Sequence, residues 1–338
     1  MSHLAPVIDP ASTLIFVVNS AAGSNDARAK QEVIESALVK AGRTGRMVFA
    51  QPADLLNAAQ EAAKEAVGSQ GAVVAVGGDG TINTVAQAAY AQACPMGVIP
   101  QGTFNYFART HGIPADPAQA ASLLFQSRAW PVQVATVNNH VFLVNASLGL
   151  YPQLLEDREA YKARFGRSRL VAMGAGLVTL LRVHRQLRLR IELGSTVREV
   201  RASTLFVGNN RLQLEQVGVQ VGAEEGEEGE EGESAPSSLD KGSIAAVMLR
   251  PVSTLAMISV MLRGAMGKLG DADSVDSFAF NHMVVRPRLD YGRRKVKVAF
   301  DGEVNWMHSP IEFAVPAKPL YLIKSEAGAL TSPAFVTA

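Results

Sequence analysis

The sequence predicts an α/β domain built on a parallel sheet, followed by a domain of antiparallel strands. Two observations predict it. Up to about residue 130, short apolar runs alternate with segments of helical spacing, the pattern of strands buried on both faces and joined by helices. Beyond Trp130, strand-like runs follow one another with few helices between them. A length of 338 residues suits two domains at roughly 100–200 residues each. With 48% apolar and 19% charged residues, a sizeable core is available.

Leu14–Val18 is a continuous apolar run and predicts the first strand. Asp26–Ala41 has helical spacing, with Val33, Ile34, Ala37 and Leu38 on one side. Arg46–Ala50 reads as a strand, Pro52–Val67 as an alanine-rich helix and Ala72–Val76 as a third strand. Thr81–Ala93 reads as a helix and Met96–Pro100 as a fourth strand. Strands alternating with helices imply right-handed crossovers and a parallel sheet. In the second half, strands are expected at Pro131–Val137, His140–Ala146, Leu187–Leu193, Val197–Val207, Ser243–Leu249, His282–Pro287, Lys295–Phe300 and Ile311–Val315. Helices are expected at Arg167–His184 and Val252–Met266. The domains are therefore drawn at 12–130 and 131–325, with the last strand or the tail able to return to the first.

Composition narrows the setting. The lone cysteine, Cys94, forms no intramolecular disulfide, which favours a reducing, cytoplasmic compartment. Met1–Ser12 lacks the pattern of a secretory signal. The apolar run Leu170–Leu181 is twelve residues long, against about 20 needed to cross a bilayer. The net charge of +1 hides an asymmetry, because seven glutamates lie within Glu224–Glu233 and the rest of the chain carries +8. That segment belongs to a low-complexity stretch, 222–238, expected to be a disordered surface loop. Arg158–Arg190 holds nine Arg/Lys and one acid, Glu159. Beside an apolar run, such a stretch suits an anionic membrane surface at the inner face; the plain alternative is a solvated helix face. No nucleic-acid partner is expected, and a homodimer stays open.

Three loops carry chemistry. In Val73-Val-Ala-Val-Gly-Gly-Asp-Gly-Thr-Ile-Asn83, an apolar strand ends in three glycines within four residues before a helix. Glycine lets the backbone turn and lets an anion approach the amides, and the helix adds free N–H groups and the positive end of its dipole. Asp79 would repel a phosphate unless it organises Mg²⁺ or orients an acceptor hydroxyl. Otherwise it is the N-cap of an ordinary turn. Asn19-Ser-Ala-Ala-Gly-Ser24 follows the first strand, and Gln101-Gly-Thr-Phe-Asn-Tyr106 the fourth. Loops at the carboxyl ends of parallel strands form one ligand rim. Far along the chain, Lys295-Val-Lys-Val-Ala-Phe-Asp-Gly-Glu303 delivers Asp301 and Glu303 around Gly302. Two such carboxylates can act as base and metal partner; an Asp-Gly hairpin with an exposed Glu is the plainer reading.

Other classes are excluded by what the sequence lacks. It has no Gly-x4-Gly-Lys-Ser/Thr loop, no dinucleotide Gly-x-Gly-x-x-Gly after a strand, no protein-kinase signature set and no Gly-x-Ser-x-Gly elbow. The six histidines show no metal-ligand spacing.

Taken together, Asn19…Gly23, Gly77-Gly78-Asp79-Gly80-Thr81, Gly102-Thr103-x-Asn105-x-Phe107-Ala108, Val207-Gly208-Asn209 and Asp301-Gly302-Glu303 resemble the diacylglycerol kinase catalytic family, over roughly 12–325. The family includes bacterial lipid kinases and sphingosine kinases. The resemblance implies a first domain like those of NAD kinases and phosphofructokinases, a C-terminal β-sandwich, and ATP in the cleft between them. It implies that ATP meets Asn19, Gly77, Gly78, Asp79, Gly80, Thr81, Asn83, Gly102, Thr103 and Asn105. It implies Glu303 as general base toward a lipid hydroxyl at the membrane surface, with Asp79 and Asp301 positioning Mg²⁺ or assisting. The acceptor would be diacylglycerol or a similar lipid alcohol.

The sequence departs from the family pattern at named places. Tyr106 stands where an Asp usually follows the Asn, and Phe49 where a Thr lies near the nucleotide. Asp240-Lys241-Gly242 has Lys where an acid usually helps hold a structural Mg²⁺, and Val132-Gln133-Val134 replaces an Ile-Asp strand. Two further readings follow: a soluble-substrate kinase of the same fold, and a catalytically impaired nucleotide or lipid-binding protein.

Overall fold

The computed structural model describes residues 6–20, 24–126, 128–149, 152, 186–209, 242–251, 275–289 and 294–325. The expected helices at 167–184 and 252–266, residues 158–185 of the basic stretch 158–190, the acidic stretch 222–238, Gly23 and the Asp240-Lys241 pair lie outside the described residues. The chain divides into two units, one formed by 1–134 with 316–338 and the other by 135–315.

The first unit alternates β1 (Leu14–Asn19), α1 (Ser24–Ala41), β2 (Gly45–Ala50), α2 (Leu55–Gly68), β3 (Val73–Gly77), α3 (Asp79–Gln92) and β4 (Met96–Pro100). The short α4 (Tyr106–Thr110), α5 (Pro117–Gln126) and β5 (Arg128–Val132) follow. β3 and β4 are buried at every residue, as their unbroken apolar runs require. β2 is the edge strand and is mostly solvated; its Arg46 pairs with Glu65 of α2. α2 buries Leu55, Ala59, Ala62, Ala63 and Ala66, whose small side chains let it lie close against α3. α1 packs instead against α5.

The sheet order is β2-β1-β3-β4-β18-β5, with β18 (Leu320–Lys324) returning from the far end of the chain. β1 to β4 pair in parallel, β18 runs parallel to β4, and β5 pairs antiparallel to β18. The sheet is therefore mixed and mostly parallel. From β1 the chain steps to one side, to β2; from β3 it steps to the other, to β4. The order reverses between β1 and β3, and such a switch point opens a crevice at the carboxyl ends of the strands.

The second unit is antiparallel throughout its described pairs. One sheet runs β10 (Thr196–Ala202), β9 (Leu187–Leu193), β14 (His282–Pro287), β17 (Ile311–Ala314), β6 (Ala135–Val137) and β7 (His140–Phe142). The other runs β13 (Val275–Phe280), β12 (Ile244–Leu249), β11 (Thr204–Gly208), β8 (Asn145–Gly149), β15 (Lys295–Phe300) and β16 (Glu303–His308). The two sheets share one core, to which Phe142, Ile191, Val285 and Phe313 come from the first and Leu148, Leu205, Met248 and Val298 from the second.

Three expected strands are in fact broken. The run at 131–137 splits into β5 and β6, which belong to different sheets. Every residue from Val132 to Ala135 is buried, so apolar periodicity carries no mark of the change. The run at 140–146 breaks at Leu143 and Val144, whose N–H groups bond a side chain rather than a strand. The run at 197–207 breaks at Ser203, whose N–H donates to Leu249 O at 2.8 Å. Helix α3 starts at Asp79, two residues earlier than its apolar spacing indicates, and α4, α5, β13 and β16 have no counterpart among the expected elements. No described helix is long and apolar enough to cross a membrane.

Candidate functional site

In the first unit, the end of β1 and the loops after β3 and β4 meet on the rim beside the β1–β3 switch point. The chain leaves β3 at Gly77 and enters α3 at Asp79, with Gly78 as N-cap in extended conformation (φ −83°, ψ −175°). No side chain caps α3, so its first-turn N–H groups and the positive end of its dipole face the rim. A Cβ on Gly77 would lie 2.6 Å from Thr81 Oγ1. Thr81 is buried and accepts a hydrogen bond from Asn19 Nδ2 at 3.2 Å, which ties the end of β1 to α3 across the switch point.

The loop after β4 lies against the glycine loop backbone to backbone. Gln101 N donates to Gly77 O at 2.8 Å. A Cβ on Gly102 would come within 2.9 Å of Gly78 Cα and 2.7 Å of Asn105 Oδ1. Only glycine fits there, so the two loops lie backbone against backbone. Asn105 has a positive φ of 48° and clamps its own loop: its Oδ1 accepts from Gly102 N and its Nδ2 donates to Gly102 O, each at 2.9 Å.

Asp79 joins the loops. Its Oδ2 accepts the Asn105 N–H at 3.0 Å. Its Oδ1 is shut off from water and meets no donor in hydrogen-bond geometry. Burial pushes the Asp79 carboxyl above its ordinary value, while the backbone N–H groups of Asn105, Tyr106 and Asp79 itself pull the other way. A carboxylate with one anchored oxygen and one buried, unmatched oxygen suits a divalent cation. Among the described residues no group of three or more His, Cys, Asp or Glu is set to hold a metal. A cation here would therefore take one protein carboxylate, whose sealed Oδ1 would first have to be uncovered, with the rest of its shell from outside the chain.

Thr103 is exposed on this rim and Gly80 half-buried, whereas Asn83 turns into the unit and accepts from Gln87 Nε2 at 3.4 Å. Tyr106 stacks on Phe104, with ring centroids 5.6 Å apart. Phe49 is exposed at the end of β2.

Asp301 and Glu303 belong to the second unit. Asp301 and Gly302 have φ of 44° and 89°, the two positive values of a type I′ hairpin, and join β15 to β16. The Asp301 carboxylate holds backbone: Oδ2 accepts Leu143 N at 2.7 Å, and Oδ1 accepts Val144 N at 2.9 Å and Asn145 N at 3.1 Å. Asn209 grips the same segment, donating from Nδ2 to Leu143 O at 3.1 Å and from its main chain to Val144 O at 2.9 Å. Three backbone donors on Asp301 argue for a structural clamp over a metal ligand. Glu303, the next residue but one, is exposed at the start of β16.

Sequence reasoning missed three features. The clamped segment 143–145 carries no motif of its own. Gln101, whose Oε1 is buried without a hydrogen-bond partner, had only its place beside Gly102 as a signal. Lys324 and His111, both buried in the first unit, lie 213 residues apart in the chain. Burial brings the Lys324 amine down to about 8 and, helped by Lys324's charge, the His111 imidazole down to about 3.

Residues 13–137 match the model of the diacylglycerol kinase catalytic domain. The chain is 32% identical over 164 residues to the Probable lipid kinase YegS-like of Serratia proteamaculans (strain 568), a match covering 46% of this chain and 52% of that protein. It is 40% identical over 98 residues to the protein of the same name from Klebsiella pneumoniae (strain 342), covering 28% and 33%. The matches thus span about half the length of these curated relatives, or less. The crystal structure of a diacylglycerol kinase from Bacillus anthracis str. Sterne aligns with a TM-score of 0.62 at 19% identity, over 94% of this chain and 98% of the other, and shows a shared fold.

Proposed function

We propose that this chain, whose residues 13–137 match the diacylglycerol kinase catalytic domain, transfers the γ-phosphoryl group of ATP to the hydroxyl of diacylglycerol or a similar lipid alcohol. The observation that carries this reading is Asp79. It is a half-satisfied, buried carboxylate at the uncapped start of α3, between two glycine loops whose backbones nearly touch.

The roles follow from the residues. The N–H groups of Gly78 to Thr81 would cradle phosphate oxygens at the helix start. Gly78 and Gly102 leave room for that approach, and Asn19 and Asn105 hold the loops at their spacing. Asp79 would hold Mg²⁺ through Oδ1, and the ion would supply neutralising charge to the phosphate chain. Thr103, exposed on the same rim, would donate to phosphate. Glu303 would accept the proton of the acceptor hydroxyl as its oxygen bonds the γ-phosphorus, and ADP would depart with the electrons of the broken P–O bond. Asp301 would act by holding the turn that carries Glu303. The chemistry asked of the protein is positioning and charge stabilisation.

The test uses ATP labelled in its γ-phosphate, lipid vesicles containing diacylglycerol, and the full chain. Label should pass into the lipid extract, and Asp79→Ala and Glu303→Ala should each lose it. If wild type transfers no more than these variants, the reading fails. Label in a water-soluble acceptor without vesicles would replace it by a soluble-substrate kinase.

A further inference from the structure

The β15–β16 hairpin has two unlike faces. One turns inward, with Val296, Val298 and Met307 in the shared core. On the other, Lys297 stands opposite Trp306, and Lys295 opposite His308. Trp306 is 60% exposed, the most exposed aromatic side chain among the described residues. The Lys297 Nζ lies 5.2 Å from its ring centroid. Lys295 and His308 are exposed beyond it, and Arg294 is exposed at the root of the hairpin. From Lys295 to Ala299 and from Val304 to His308, this face carries no acidic residue. β16 is the edge of its sheet; Ala299, on the same face, is fully buried, so the open part of the face is the end that carries Lys295, Lys297, Trp306 and His308.

We propose that this face of the β15–β16 hairpin, with Trp306 at its centre and Lys295 and Lys297 beside it, docks on an anionic lipid surface. The choice of partner rests on the lipid-kinase reading above. An indole prefers the boundary between headgroups and acyl chains, where its ring is apolar and its N–H stays wet. Lysines on long stems reach the lipid phosphates while their methylenes cover apolar surface. A single ring beside two lysines, without an acid among the described residues of the hairpin on that face, matches a negative surface better than a protein interface, whose centre is depleted of charge.

The position has a consequence for the chemistry. Glu303 and Trp306 lie three residues apart on one strand, roughly 10 Å at about 3.3 Å per residue. A hairpin seated on the headgroups through Trp306 would hold the Glu303 turn within about that distance of the surface, with the two side chains on opposite faces of the strand.

The experiment uses the full chain, with phosphatidylcholine vesicles and phosphatidylcholine/phosphatidylglycerol vesicles. The chain has two tryptophans, and Trp130, with its indole nitrogen buried, is the internal reference. With anionic vesicles the emission of wild type should shift to the blue, and Trp306→Phe should abolish the shift. Lys295→Glu with Lys297→Glu should weaken partitioning by about tenfold or more, and raising salt should do the same. These side chains are on the surface, so an unchanged melting temperature certifies the fold. Absence of a Trp306 shift with anionic vesicles, or partitioning indifferent to the lysine reversal, overturns the proposal. So does shielding of Trp306 as protein concentration rises without vesicles, which would assign this edge to a second copy. Phosphate transfer to diacylglycerol in detergent micelles is scored separately: its loss in wild type refutes the kinase reading while leaving the lipid contact standing.

Discussion

Asp79 accepts the main-chain N–H of Asn105 at 3.0 Å through Oδ2, so one carboxylate joins the glycine loop after β3 to the loop after β4. The same group leaves Oδ1 buried and unmatched. Replacing Asp79 with Asn keeps an acceptor for Asn105 and removes the negative charge. Phosphate transfer should fall by about a hundredfold or more, as expected when one charge-stabilising group is lost. Wild type should melt at a higher temperature with ATP and Mg²⁺, and the variant should not, while its melting temperature without ligand changes little. Steady-state kinetics and a thermal melt check both.

Gly102→Ala tests the contact between the loops. The new Cβ would meet Gly78 Cα at 2.9 Å and Asn105 Oδ1 at 2.7 Å, and neither neighbour is the end of a flexible chain. The loops must part, at a cost of about 1–3 kcal/mol. The expected outcome is a lower melting temperature together with weaker ATP binding by calorimetry. Gly302→Ala acts differently: open space surrounds the site, but φ of 89° strains any side chain, so it should destabilise without touching ATP affinity.

The two carboxylates of the hairpin should separate cleanly. Asp301→Ala strips the acceptor from three backbone N–H groups, at about 1–3 kcal/mol for each one left buried and unmatched. It should lower the melting temperature substantially. Glu303 is exposed, and Glu303→Gln should leave stability within about 0.5 kcal/mol of wild type. Its effect should appear in kcat. An Asp301→Ala variant that melts like wild type would refute the clamp.

His111 and Lys324 set opposite ends of the pH–stability curve. His111 titrates near 3 in the fold against an ordinary 6.5, because its buried site disfavours the charge. The unfolded chain takes up that proton first, so stability falls as pH drops from about 6.5 toward 3. Lys324 titrates near 8 against an ordinary 10.5, again through burial. Between those values the unfolded chain holds a proton that the fold has released, so this residue raises stability as pH climbs from about 8 to 10.5. Melts of His111→Gln and Lys324→Met should flatten the acid and alkaline limbs respectively.

The sequence by itself determined the four parallel strands β1 to β4 and the loops that follow β3 and β4. Those depend on short-range chemistry: apolar runs buried on both faces, and glycines where a backbone must turn. It also placed Asp301 and Gly302 in a hairpin turn, because few residue pairs tolerate two positive φ values. Tertiary structure alone decided what their side chains do. The Asp301 carboxylate is claimed by residues about 157 positions away, and local spacing has no term for so distant a partner. Likewise 131–137 reads as one strand yet serves two sheets, since burial on every side erases the periodicity that would mark the change. Lys324 looks like the polar end of a strand; only β4 and β5 closing around β18 make it a buried amine.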